Sequence, residues 1–105
     1  MPTRMEVKHY TVDVAAHLEG FNEWVANIYL YDDLGRAFGN IRFSKTMAGQ
    51  NNQINPGGMS TMWAPPESYP WVLDLLRNEK PLYVWLYESG RALLSTSVEP
   101  VGEEE

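Results

Sequence analysis

Apolar and polar residues alternate along most of this chain, and the alternation predicts strands. From Tyr10 to Leu18 the even positions Tyr10, Val12, Val14, Ala16 and Leu18 are apolar, while His9, Thr11, Asp13 and His17 fill the odd ones, the period of a half-buried strand. A turn centred on Gly20 leads to a second strand, Glu23 to Tyr31, with Trp24, Ala26, Ile28 and Leu30 on its apolar face. After Asp32-Asp33-Leu34-Gly35, a third strand alternates Ala37, Gly39, Ile41 and Phe43 with Arg36, Phe38, Asn40 and Arg42. An even-length turn sets Leu30 opposite Ala37, Ile28 opposite Gly39, Ala26 opposite Ile41 and Trp24 opposite Phe43. A three-residue loop puts Ile28 opposite Asn40 instead, so the side-chain pattern selects the even turn. Gly39 then lies on the inner face and Asn40 on the outer one, where even an arginine is expected to cost less than about 1 kcal/mol.

Residues 45 to 58, KTMAGQNNQINPGG, have no periodicity and predict a mobile loop. Met59 to Trp63 resumes a weak alternation as a fourth strand, closed by Ala64-Pro65-Pro66. Ser68 is placed to cap a helix with Pro70 in its first turn and Trp71, Val72, Leu75 and Leu76 as its apolar stripe. Two more strands, Leu82 to Glu88 and Arg91 to Val98, are joined at Ser89-Gly90, and the acidic tail near 100–105 is expected to fray. The order ββββαββ describes one α+β domain over residues 1–105, an antiparallel sheet of five or six strands with one helix on one face.

One short helix covers only one side of such a sheet. Pairing Glu88 with Arg91 sets Tyr87 by Ala92, Trp85 by Leu94 and Tyr83 by Thr96, with Leu82, Val84 and Leu86 on the reverse as the seat of the helix. Tyr83, Trp85 and Tyr87 then face away from it, and Tyr29, Tyr31 and Phe38 of the first hairpin are expected to join them. Aromatic residues with a polar tip are enriched at interfaces. A second copy of the chain is the favoured cover for this face, with the 45–58 loop or closure of the sheet upon itself as the alternatives.

Charge and composition narrow the partners. Eight Lys and Arg against fourteen Asp and Glu leave a net charge of −6, which opposes phosphate backbones and makes nucleic acid an unlikely partner despite the aromatic face. There is no cysteine, hence neither disulfide nor thiolate zinc site, as fits a reducing cytoplasm. The first residues lack the apolar run of a signal peptide and no stretch has the length of a membrane span, so a soluble cytoplasmic protein is expected.

Candidate chemistry adds little. His9, Asp13 and His17 recur every fourth residue, but on a strand neighbours at that spacing lie roughly 13 Å apart, too far to share an ion. Asp32-Asp33 lacks the repeated ligands of a calcium loop and reads as a turn. No G-x-S-x-G elbow is present, and Gly57-Gly58 lacks the lysine and spacing of a phosphate loop. No catalytic, cofactor or metal-ligating residue is assigned, and an enzyme is not expected. Met59, Met62 and Trp63 have the composition of an adaptable contact surface. The sequence therefore predicts a non-enzymatic, self-associating interaction module, a homodimer through its aromatic face. A small-molecule binder with a pocket between helix, sheet and the 59–63 segment is the alternative.

Overall fold

A computed structural model describes residues 2–15, 24–45, 52–55 and 57–97. The turn at Gly20, half of the 45–58 loop, His17 and the acidic tail lie outside the described residues. The elements are β1 (Thr3–Val7), β2 (His9–Val14), β3 (Ala26–Tyr31), β4 (Ala37–Phe43), β5 (Ser60–Ala64), a 3-10 turn (Pro66–Ser68), α1 (Tyr69–Asn78), β6 (Leu82–Leu86) and β7 (Ala92–Thr96). The fold is α+β with one helix, but the strands form two sheets rather than one: β1-β6-β7 and β2-β3-β4-β5, all antiparallel except the β4–β5 pair, which is parallel. The division arises at Lys8. β1 and β2 are one extended run interrupted there, with β1 pairing to β6 and β2 to β3. The N-terminal segment passes from one sheet to the other, and their inner faces enclose a common core.

That core holds Ala26, Ile28, Leu30, Ile41, Phe43 and Met62 from the four-stranded sheet and Val84 and Leu86 from the three-stranded one. Val84 and Leu86 thus share a core with a second sheet, to which the helix adds Tyr69, Val72 and Leu76 at the margin, while Leu82, also buried, lines a pocket with Leu76 and Asn78 at the end of the helix. Trp71, expected in the helix stripe, is 75% exposed, because Tyr69, Val72 and Leu76 at i, i+3 and i+7 define the inward face. Ser68 occupies the N-cap position without a side-chain cap bond, since the 3-10 turn before it already gives it a helical backbone.

Both hairpins turn through three residues, which changes two registers. In the first, Asp32 N–H donates to the Arg36 carbonyl (2.9 Å) and Gly35 N–H to the Asp32 carbonyl (3.1 Å), with Gly35 at φ 80. This is the odd-length loop that closes on a left-handed glycine. The predicted loss of parity is cancelled by a bulge at Leu30/Tyr31 that leaves Phe38 unpaired, so Leu30 meets Gly39, Ile28 meets Ile41 and Ala26 meets Phe43. The inner face keeps its members, displaced by two residues from the expected pairs. The Arg36 backbone N–H (2.9 Å) and then the Leu34 N–H (3.0 Å) hold the Asp32 carboxyl below its ordinary pKa. That support for the turn is present in the ionised state and is lost as pH falls through the lowered value.

In the second hairpin, Tyr87 N–H donates to the Arg91 carbonyl and Gly90, at φ 98, closes the loop. No bulge compensates. Trp85 therefore pairs with Leu93 and Tyr83 with Ser95, one residue from the expected register. Leu94 turns inward beside Val84, and Leu93 comes out beside Trp85 with 43% of its surface exposed.

Asn52 ties β5, an edge of the four-stranded sheet, to the β6–β7 turn of the other sheet. Its side-chain amide accepts from Trp63 N–H (2.7 Å) and donates to the Gly90 carbonyl (2.8 Å), as a peptide group would in a ladder. Gln53 makes a two-bond bridge to Thr61. Within the 45–58 segment, residues 52–55 are thus pinned along β5.

Candidate functional site

Strand alternation and the β1–β6–β7 register place two rows of side chains on the outer face of the three-stranded sheet. One row is Arg4, Trp85 and Leu93; the other is Glu6, Tyr83 and Ser95. The Arg4 guanidinium lies 4.3 Å from the Tyr83 ring centroid and 5.8 Å from that of Trp85. Arg91 lies 5.3 Å from the Tyr87 ring at the end of the same hairpin. A guanidinium over an aromatic face contributes about 0.5–1 kcal/mol when exposed and about 2 kcal/mol when water is excluded. The pairs are therefore worth more under a partner than in solvent. Trp, Tyr and Arg are also the residues that dominate binding energy in interface centres.

The expected aromatic set does not form one surface. Tyr83, Trp85 and Tyr87 belong to this outer face, partly exposed. Tyr29 and Tyr31 lie on β3 in the other sheet, where the Tyr31 hydroxyl is 3.2 Å from Thr11 Oγ1. Phe38, at the bulge, is in the core with 5% exposure. Arg4 and Leu93 were missed by sequence reasoning. The signal for Arg4 was present, since Thr3, Met5 and Val7 alternate with Arg4 and Glu6 and so mark a strand.

The outer face of the four-stranded sheet holds a buried polar network. Asn40 Nδ2 donates to Asn27 Oδ1 (2.9 Å) and Thr61 Oγ1 donates to Asn40 Oδ1 (3.0 Å), and both asparagines are only 2% exposed. Asn40 is thus a buried network member rather than the tolerant surface position expected. Arg42 lies 5.4 Å from the Trp63 ring, its Nε buried without a hydrogen-bond partner.

Met62 and Trp63 help line a cavity of about 140 Å³ at the β5–β7 seam, with Ile41, Val72, Val84 and Leu94. Met59 is not among its lining residues. His9 and Asp13 are exposed on β2, and among the described residues no three of His, Cys, Asp and Glu stand close enough to hold a metal ion. Among the same residues no helix is long and apolar enough to cross a membrane. Compared with protein-family models, curated proteins and solved structures, the chain has no match.

Proposed function

We propose that the chain is a non-enzymatic cytoplasmic interaction module that self-associates through the outer face of β1-β6-β7. The observation that carries this reading is the stack of Arg4 on Tyr83 and Trp85 with Leu93 exposed in the adjoining strand. It joins a desolvation-sensitive cation to an apolar area in the composition of an interface centre. The test is backbone amide shifts followed as concentration rises: movement concentrated at Arg4, Tyr83, Trp85 and Leu93 is expected, and movement confined to the four-stranded sheet would refute the assignment.

The seam cavity supports a second reading, a small apolar ligand held between β5, β7 and α1. Its volume of about 140 Å³ restricts any occupant to a few heavy atoms, and its floor, Met62 and Val84, is already part of the core. It ranks behind the outer face for that reason. Single-stranded nucleic acid would also stack on the exposed rings, but the net charge of −6 opposes its backbone.

A further inference from the structure

The outer face of the three-stranded sheet carries opposite charges at equivalent offsets. On β1, Arg4 and Glu6 are two residues apart and so roughly 7 Å apart along the strand. Arg4 heads the row that contains Trp85, and Glu6 heads the row that contains Tyr83. A rotation that exchanges the two rows therefore exchanges cation with anion and indole with phenol. Two sheets stacked face to face about a two-fold axis lying in the interface and running across the strands perform that exchange. We propose that a second copy of this chain docks in this way, each Arg4 meeting the partner subunit's Glu6 while each Trp85 closes over the Arg4–Tyr83 stack of the partner subunit. The inference rests on the self-association reading above and specifies its geometry.

The alternative two-fold axis, running along the strands through β6, carries no such match. It sets Arg4 against the Leu93 position and leaves both charges without a partner inside the contact, a costly arrangement for desolvated ions. The stacked guanidinium suits the first axis: Arg4 lies over the Tyr83 ring, 4.3 Å from its centroid, and a guanidinium over a ring can still donate from its edge to a carboxylate. Among the described residues Glu6 is paired with Lys8, at 3.5 Å between partly exposed side chains, a weak surface pair. An isologous interface requires one patch to complement itself, and two bodies of net charge −6 need local attraction where they touch.

The experiment uses the full chain and two variants, Arg4→Glu and Glu6→Arg, with circular dichroism to confirm folding. Each variant alone opposes like charges in both copies of the pair, so its dimer should dissociate about tenfold or more readily than wild type. Mixing the two in equal amounts should form a heterodimer far tighter than the homodimer of either variant, because unlike charges then face each other at both places. The double exchange within one chain should likewise dimerise more tightly than either single variant. A wild-type dimer unaffected by either substitution, or weakened without rescue on mixing, overturns this geometry and leaves self-association standing. A wild type that remains monomeric overturns both.

Discussion

Phe43→Ala should destabilise the fold by about 3–5 kcal/mol, the range for deleting a buried aromatic side chain. The upper part of that range is expected, for a local reason. Phe43 is fully buried and is flanked across the sheet by Ala26 on β3 and Ala64 on β5. The two alanines make room for the ring, and they cannot swing in to fill the space it leaves. Tyr69 meets Phe43 edge-on with centroids 5.2 Å apart, so the substitution also removes a principal contact of α1 with the core. Urea denaturation measures the loss, with Trp71→Ala as the comparison. That side chain is 75% exposed, and its removal should change stability by no more than about 0.5 kcal/mol. Similar losses from both would contradict the placement of the core between the sheets.

The second large effect is expected at Asn40. Asn40→Ala should cost about 2–4 kcal/mol, because it strands the buried Asn27 Oδ1 and removes the acceptor of Thr61 Oγ1, and an unsatisfied buried polar group costs about 1–3 kcal/mol. An arginine there must also place a cation among these groups, so Asn40→Arg should be at least as damaging. Gly39→Arg is severe for a different reason. Even a Cβ at Gly39 lies 3.2 Å from Met62 Cε and 3.3 Å from the Ser60 carbonyl, where β4 and β5 run side by side. The exposed Thr11→Ala on β2 provides the baseline, expected within about 0.5 kcal/mol. Thermal unfolding of these variants distinguishes a buried Asn27–Asn40–Thr61 network from a solvated one, in which Asn40→Ala would be as mild as Thr11→Ala.

The alternation of apolar residues located β2, β3, β4, β5, β6, β7 and α1 and separated inner from outer residues on β3 and β6, whereas on β4 it set the core residue Phe38 outside and the exposed Ala37 inside. It could not show how those faces meet. The division into two sheets depends on Lys8, a single residue between two strand patterns, and on β1, whose short alternation of Thr3, Met5 and Val7 carries weak apolar character. The registers turned on loop length. Asp33-Leu34-Gly35 and Glu88-Ser89-Gly90 each form a three-residue turn, but the Phe38 bulge restores parity only in the first. A bulge depends on tertiary packing and leaves no sharp mark in a hydrophobic pattern. The burial of Asn27 and Asn40 was equally hidden, because polar residues at alternate positions normally signify solvent. Of the interface residues expected from sequence, Tyr83, Trp85 and Tyr87 share one surface. Tyr29 and Tyr31 are separated from them by the division of the strands into two sheets.

Sedimentation of the wild-type chain and of Trp85→Glu over a range of concentrations tests self-association most directly. Trp85 lies in the centre of the outer row, between Arg4 and Leu93, so a carboxylate there removes the largest apolar area and leaves the inward set of Leu82, Val84 and Leu86 intact. The wild type should show a mass that rises with concentration toward that of a dimer, and Trp85→Glu should stay folded and monomeric throughout. A wild-type chain that remains monomeric at high concentration, or a variant that associates as wild type does, would contradict the assignment of this face.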